Sequence, residues 1–439
     1  MRIISGTEFD EYWKVGAETA NDGTVESAVK EIIAAVRTEG DAAVRRFASR
    51  FDKSSPAKLE VPMPEVEKAL RDLRSSDPEL ASAMELAADH IKRFSLKQRA
   101  QFSDFEYEME PGLTTGQRVI PIEKVAVYAP GGRYPLFSSL LMALIPAYCA
   151  GAEELVIASP PQGNGLPDKK ILAAAGIAAE TVAAECKGKL RVFAVGGVQA
   201  IAALALGTES VPRVDMIAGP GSMHVVTAKR ILFGEVGIDF LPGPSDVLII
   251  SDGADSSCAD FAAADMIAQA EHDPDARAWA LVPNRELAEQ VTAALERRLT
   301  QLPTVDTARA SLDSGGLIVV YQGMEEAVRI ANAIAPEHLE LHIADADRWI
   351  PSLKNYGSLF IGNLSAEVLG DYSAGTNHVL PTMGNARFTG GLSVRHFLKT
   401  VTTLRCAPGE GFEKTRRAAE VMARAEGLEG HALSAAARG

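Results

Sequence analysis

The chain has 439 residues, 47% hydrophobic and 23% charged. That is an ordinary balance for a soluble globular protein, at a length beyond which a single core usually stops growing. Its formal net charge of -14 argues against nucleic acid or an anionic membrane as a partner held through bulk charge.

The opening Met-Arg-Ile-Ile-Ser-Gly-Thr-Glu-Phe-Asp has no apolar signal-like segment, and the longest apolar stretch, Leu140 to Ala152, is too short and too broken to span a bilayer. A cytoplasmic protein is expected. Apolar residues recur at helical spacing over Val25 to Phe51 and Glu65 to Leu96, with Gly40-Asp41 as a stop and restart and Asp77-Pro78 as an N-cap followed by first-turn proline. At Lys124 the pattern changes to short β-branched runs separated by Gly/Pro loops and apolar helices. Strands are expected at Val125–Val127, Leu155–Ile157, Val192–Val195 and Val214–Ile217, with helices over Ser138 to Cys149 and Gln199 to Leu206. A second series follows at Val247–Ile250, Trp279–Val282, Leu317–Val320 and Ser358–Ile361, with helices near Cys258 to Glu271, Arg285 to Leu299 and Met324 to Ala333. A last helix, Glu413 to Ala425, carries His431 just beyond its end.

Alternating strands and helices imply parallel sheets covered on both faces. The expected class is α/β: two Rossmann-like units with parallel sheets, a helical N-terminal section and a small C-terminal helical tail. The boundaries are 1–120, 121–243, 244–383 and 384–439, with the tail too small to bury a core of its own. Cys149, Cys186, Cys258 and Cys406 are far apart, lack a Cys-x-x-Cys pair and lie in apolar or Ala-rich surroundings, so they read as buried free thiols, Cys149 and Cys258 the more interior.

Gln269 and His272 stand i and i+3, which on a helix puts both side chains on one face, toward one ion. With Asp371 and His431 they would supply two imidazole nitrogens and two oxygens, a set suited to a zinc-like divalent metal. Glu337-His338 then remains free to move protons. Taken alone, the same residues also read as polar groups closing a helix, a tail histidine and a surface dipeptide at a strand start. No Gly-x-Gly-x-x-Gly fingerprint occurs. Pro130-Gly-Gly132, Gly196-Gly197 and Gly219-Pro-Gly221 are either phosphate-approaching loops or plain βα turns.

Val127-Tyr-Ala-Pro-Gly-Gly132, Ala194-Val-Gly-Gly-Val-Gln-Ala-Ile-Ala-Ala-Leu204, Ala218-Gly-Pro-Gly221, Gly243-Pro-Ser245, Gln269-Ala-Glu-His272, Ala335-Pro-Glu-His-Leu339, Gly375-Thr-Asn-His-Val-Leu-Pro-Thr382 and Glu426-Gly-Leu-Glu-Gly-His431 resemble, in order, the histidinol dehydrogenase family. The resemblance covers roughly residues 120 to 436. It implies one zinc per subunit on Gln269, His272, Asp371 and His431. It implies NAD contacts at Tyr128, Gln199 and Ser222, with His338 as general base and Glu337 activating water. Substrate contacts are implied at Ser138, Ser245, His338, His378 and Glu426 together with the metal ligands. The implied assembly is a homodimer with shared active sites, each tail completing the neighbour's site. The implied reaction is NAD-linked oxidation of L-histidinol through bound histidinaldehyde to L-histidine. A paralogue oxidising another primary alcohol, such as sulfopropanediol, and a zinc-binding scaffold without catalysis are the rivals. Ser222 stands where the family usually has Asn, and Asp246 where it commonly has Glu. Arg133-Tyr134 is a further local departure.

Overall fold

The computed structural model describes residues 1–15, 23–131 and 135–439. Its strands in chain order are β1 (Arg2–Ser5), β2 (Glu60–Val61), β3 (Phe105–Glu110), β4 (Leu113–Pro121), β5 (Lys124–Tyr128), β6 (Glu154–Ser159), β7 (Lys189–Ala194), β8 (Met216–Ala218), β9 (Gly237–Ile238), β10 (Asp246–Ser251), β11 (Arg277–Val282), β12 (Leu317–Val320), β13 (His338–His342), β14 (Ser358–Ile361) and β15 (Leu398–Cys406). They form two six-stranded sheets, β2-β7-β6-β5-β8-β9 and β1-β12-β11-β10-β13-β14, and a three-stranded sheet β15-β4-β3. In the large sheets every pair is parallel except β2 with β7.

Both large sheets share one winding. The chain lays down three strands in one direction from β5 or β10, then returns to the other side of that first strand with β8 or β13. Each sheet therefore has a switch point where successive connections leave on opposite faces, the place where α/β sheets open a crevice. The apolar strands bury side chains on both faces. Val247 and Ile249 enter one core beneath the helices Cys258–Ala270 and Arg285–Leu299, while Leu248 and Ile250 enter another. A buried parallel strand reads as such a continuous apolar run, which is why most of the strands were recognisable.

Four features differ from the sequence expectation. The segment 1–120 is not helical throughout, nor does it stand apart. Its helices Gly23–Glu39 and Asp41–Phe51 cover one face of the first large sheet, and Met63–Ser76 and Pro78–Arg99 cover the other. β1 instead extends the second sheet beside β12. The expected N-cap holds: the Asp77 side chain accepts from Leu80 N at 3.1 Å. The tail segment 384–439 is not purely helical either, because β15 runs antiparallel to β4 over its whole length. Cys406, at the end of β15, is exposed, whereas Cys149 and Cys258 are buried. β13 begins where a strand start was one reading of Glu337-His338, but both residues are buried rather than at the surface. Among the described residues, no helix is long and apolar enough to cross a membrane.

Candidate active site

Ala335 closes the helix Met324–Ile334 in a left-handed conformation, with φ of 54°, unusual for a residue other than glycine. That turn delivers Pro336, Glu337 and His338 to the first position of β13, directly across the switch point from β10, where Val247 pairs with His338. Ser245 and Asp246 precede Val247, so the Gly243-Pro-Ser-Asp segment and the Pro-Glu-His segment meet at the amino ends of neighbouring strands. Asp246 and Glu337 exchange hydrogen bonds: Asp246 N donates to Glu337 Oε2 at 3.0 Å, and Glu337 N donates to Asp246 Oδ1 at 2.8 Å. Both carboxyls are buried, and burial pushes Asp246 up to about 6 and Glu337 up to about 8.

The His338 ring lies between two oxygens. Nδ1 is 3.3 Å from the Asp246 carbonyl, which can only accept, so Nδ1 carries a proton; Nε2 is 3.3 Å from Asp371 Oδ1. Burial disfavours a charged ring, but the nearby carboxylates of Glu337, Glu367 and Asp371 outweigh it and hold His338 well above its ordinary value. Burial likewise pushes Asp371 upward, and contact with His338 more than reverses it, leaving Asp371 below its ordinary value.

Asp371 lies on the short helix Glu367–Tyr372, and its own carbonyl accepts from His378 Nδ1 at 2.6 Å. His378 Nε2 then accepts from the Ser139 hydroxyl at 2.9 Å, a neutral arrangement consistent with the lowering of His378 by burial. Ser139 lies in the first turn of the helix Phe137–Ala150 that follows β5, so this bond joins the two large sheets' units. Ser138, implied as a substrate contact, stands immediately before Ser139, the residue that meets His378.

Gln269 sits in the last turn of the helix Cys258–Ala270, 1% exposed, with neither amide atom hydrogen-bonded. His272 follows just beyond that helix, is exposed, and stands near enough to Asp371 and His378 to act on both electrostatically. A buried amide with two orphaned polar atoms beside a carboxylate and an open imidazole fits a metal ion. A second candidate group lies deeper: Asp265, Glu340 and His342 are all buried, with ligand atoms within 4.8 Å of one another. Sequence reading missed it because Asp265 lies on the helix Cys258–Ala270, far in sequence from Glu340 and His342, and only the fold brings the three together. Burial pushes Asp265 up to about 8.

Glu426 and His431 are exposed, and among the described residues no hydrogen bond or ion pair brings either to the Gln269–Asp371 cluster of its own chain. Their helices, Glu410–Ala425 and Glu429–Ala436, pack on each other, and the first also packs on β3.

At the first sheet's switch point, β5 ends at Tyr128 and β8 leads into Gly219. A Cβ on Gly219 would stand 2.3 Å from the Tyr128 carbonyl oxygen, and its φ of +110° also demands glycine. The buried Lys229 ammonium, paired with Asp239, donates to the Gly219 carbonyl at 3.0 Å, and Asp239 accepts from Gly219 N at 2.8 Å. Tyr128 Oη accepts from Gly197 N at 3.0 Å; Gln199 Nε2 donates to Asp52 Oδ2 at 3.4 Å, leaving Gln199 Oε1 buried without a partner. Ser222 is exposed at the start of the helix Met223–Leu232, its hydroxyl not engaged in capping. Tyr128, the Gly196-Gly197 turn and the Gly219-Pro-Gly221 turn thus share the carboxyl edge of the sheet, where nucleotides bind in this architecture. Gly132 and the Arg133-Tyr134 departure lie outside the described residues.

The histidinol dehydrogenase family model matches residues 16–439. A histidinol dehydrogenase of Thermus thermophilus is 46% identical, covering 94% of this chain and 94% of that protein. One from Pseudomonas aeruginosa is 42% identical over 95% of this chain and 92% of its own. The crystal structure of histidinol dehydrogenase from Elizabethkingia anophelis superposes with a TM-score of 0.89 at 32% identity, covering 100% of this chain and 97% of that one. The motif order, the doubled switch-point architecture and likeness over nearly the whole length agree: this chain belongs to the histidinol dehydrogenase family.

Proposed function

We propose that this protein oxidises L-histidinol through bound histidinaldehyde to L-histidine, the last steps of histidine biosynthesis, in two successive hydride transfers to NAD. The carrying observation is the meeting of Glu337, His338 and Asp371 at the amino ends of β10 and β13, with the helix that bears Asp371 packed against the helix that bears the orphaned Gln269 amide. We assign the catalytic zinc to Gln269, His272 and Asp371, completed by His431 of the partner subunit in a homodimer. These residues include an open imidazole that a substrate can approach. The Asp265, Glu340 and His342 group is wholly buried and offers a substrate no access. NAD belongs at Tyr128, Gln199 and the turn before Ser222. Ser138, Ser245, His378 and Glu426 of the partner subunit are assigned to holding the substrate.

When bound, the metal supplies positive charge to the substrate's heteroatoms and the nicotinamide supplies the hydride acceptor. His338 accepts the hydroxyl proton at Nε2 while its Nδ1–H stays fixed on the Asp246 carbonyl. In the second stage Glu337 draws a proton from the water that adds to the aldehyde, a task for which a carboxyl titrating near 8 is a far better base than an ordinary one. His338, once its first proton has passed to solvent, then takes the hydroxyl proton of the hydrate. Asp246, where the family commonly has Glu, bonds to Glu337 rather than reaching outward, so this departure does not argue for an altered substrate. NADH formation followed in parallel with L-histidinol and with sulfopropanediol tests the reading. Turnover with histidinol is expected; activity only with the sulfonate would overturn it.

A further inference from the structure

Side chains alternate along β13, so His338, Glu340 and His342 face one side while Leu339 and Leu341 enter the apolar core on the other. On the polar side lies the helix Glu367–Tyr372. Glu340 Oε1 accepts from Glu367 N at 2.7 Å, which fastens the start of that helix to the strand carrying His338. Glu367 and Asp371 are one turn apart and so share a helix face. Their carboxylates bracket the imidazole: Asp371 Oδ1 lies 3.3 Å from Nε2, and Glu367 Oε2 lies 3.8 Å from Nδ1. Glu337 Oε2 also lies 3.9 Å from Nδ1, but it is already bonded to Asp246 N. Glu367 Oε2 is buried and has no hydrogen-bond partner. Leaving such an atom unsatisfied is costly, and no apolar packing requirement explains a carboxyl there.

From this geometry we infer that Glu367 is a positioning residue for His338: the Asp246 carbonyl holds Nδ1–H, and the Glu367 carboxyl beside it steadies the ring electrostatically when Nε2 takes the substrate proton. Of the two bracketing carboxylates, Asp371 is committed to the metal, so Glu367 is the one left to the base. The Glu340 contact keeps it in place by anchoring its backbone to the base's own strand. A carboxylate that orients a catalytic histidine and balances its charge is a recurring solution on unrelated folds. The inference rests on His338 being the base, and the experiment separates the two assignments.

Glu367→Gln preserves shape and removes a carboxyl that burial pushes well above its ordinary value and the His338 ring pulls back down. Expected is a kcat loss on the order of 10–100-fold, the range typical of groups that orient an active residue. The KM for L-histidinol should stay within about twofold, because the carboxyl acts on the transition state rather than on binding. Metal content and melting temperature should not fall, since a buried carboxyl has been deleted. In a His338→Asn background the same change should alter the residual rate by less than about twofold, the mark of two residues acting as one unit. An unchanged kcat, an equal fold-loss in the His338→Asn background, or a lowered melting temperature with proportionate metal loss would each overturn the role of Glu367 alone. Full turnover by His338→Asn itself would overturn the base assignment and this inference with it.

Discussion

Glu337→Gln should stabilise the fold in a pH-dependent way while disabling the aldehyde step. The Glu337 carboxyl is buried and pushed up to about 8 from an ordinary 4.5, with burial the leading cause. Its native value lies above its unfolded one, so the native state holds the proton longer. Below about pH 4.5 the group is neutral in both states and costs nothing; between there and about pH 8 the unfolded chain ionises first, and stability falls as pH rises. Above about pH 8 the loss is complete. At 1.4 kcal/mol per tenfold, the ceiling is roughly 5 kcal/mol. Glutamine does not titrate and still offers an oxygen to Asp246 N. Denaturant unfolding of both proteins at about pH 5, 7 and 9, at equal metal content, should show the variant's advantage growing from near zero to on the order of 3–5 kcal/mol. The same variant should lose aldehyde oxidation more severely than alcohol oxidation. A stability difference independent of pH, or a variant less stable at about pH 9, would refute the reasoning.

His272→Ala and Asp371→Ala should each lose bound zinc and turnover with the fold retained, since affinity depends on the full ligand set; metal analysis after gel filtration checks this. Gly219→Ala forces a Cβ to 2.3 Å from the Tyr128 carbonyl at a left-handed φ, and should cost about 1–3 kcal/mol of stability together with NADH affinity, read by melting and by NADH fluorescence titration. Variants lacking His431 and His338, each inactive alone, should regain about half the normal activity per mixed dimer once subunits exchange, because one site then escapes both defects. No recovery despite demonstrated exchange would mean that His431 serves its own chain, or no site at all.

Much of the scaffold was legible because its strands are apolar on both faces and its helices are long and periodic. Arg285–Leu299 and Leu317–Val320 fall where the pattern puts them. β13 was legible only as a strand start at Glu337-His338; that His338, Glu340 and His342 put three ionisable groups on one face of a buried strand depends on what packs against it. β1 and β2 are too short to show a period, and their pairing depends on distant strands. The family motifs identified Glu337 and His338, but not the side chains supporting them. Asp246, Glu367 and Asp52 act through hydrogen bonds and proximity that only the folded chain brings about. The departure at Asp246 was visible in sequence; that its carboxyl exchanges bonds with Glu337 was not. Glu426 and His431 lie in solvent in their own chain, so the contribution proposed for them would come only through assembly.

The central claim is that one site carries an alcohol through to a carboxylate without releasing the aldehyde. Limiting L-histidinol with excess NAD, followed to completion with NADH and product both quantified, tests it most directly. Two NADH and one L-histidine per histidinol consumed are predicted, with no aldehyde trapped by an added carbonyl reagent. One NADH per histidinol with free aldehyde accumulating would contradict the account.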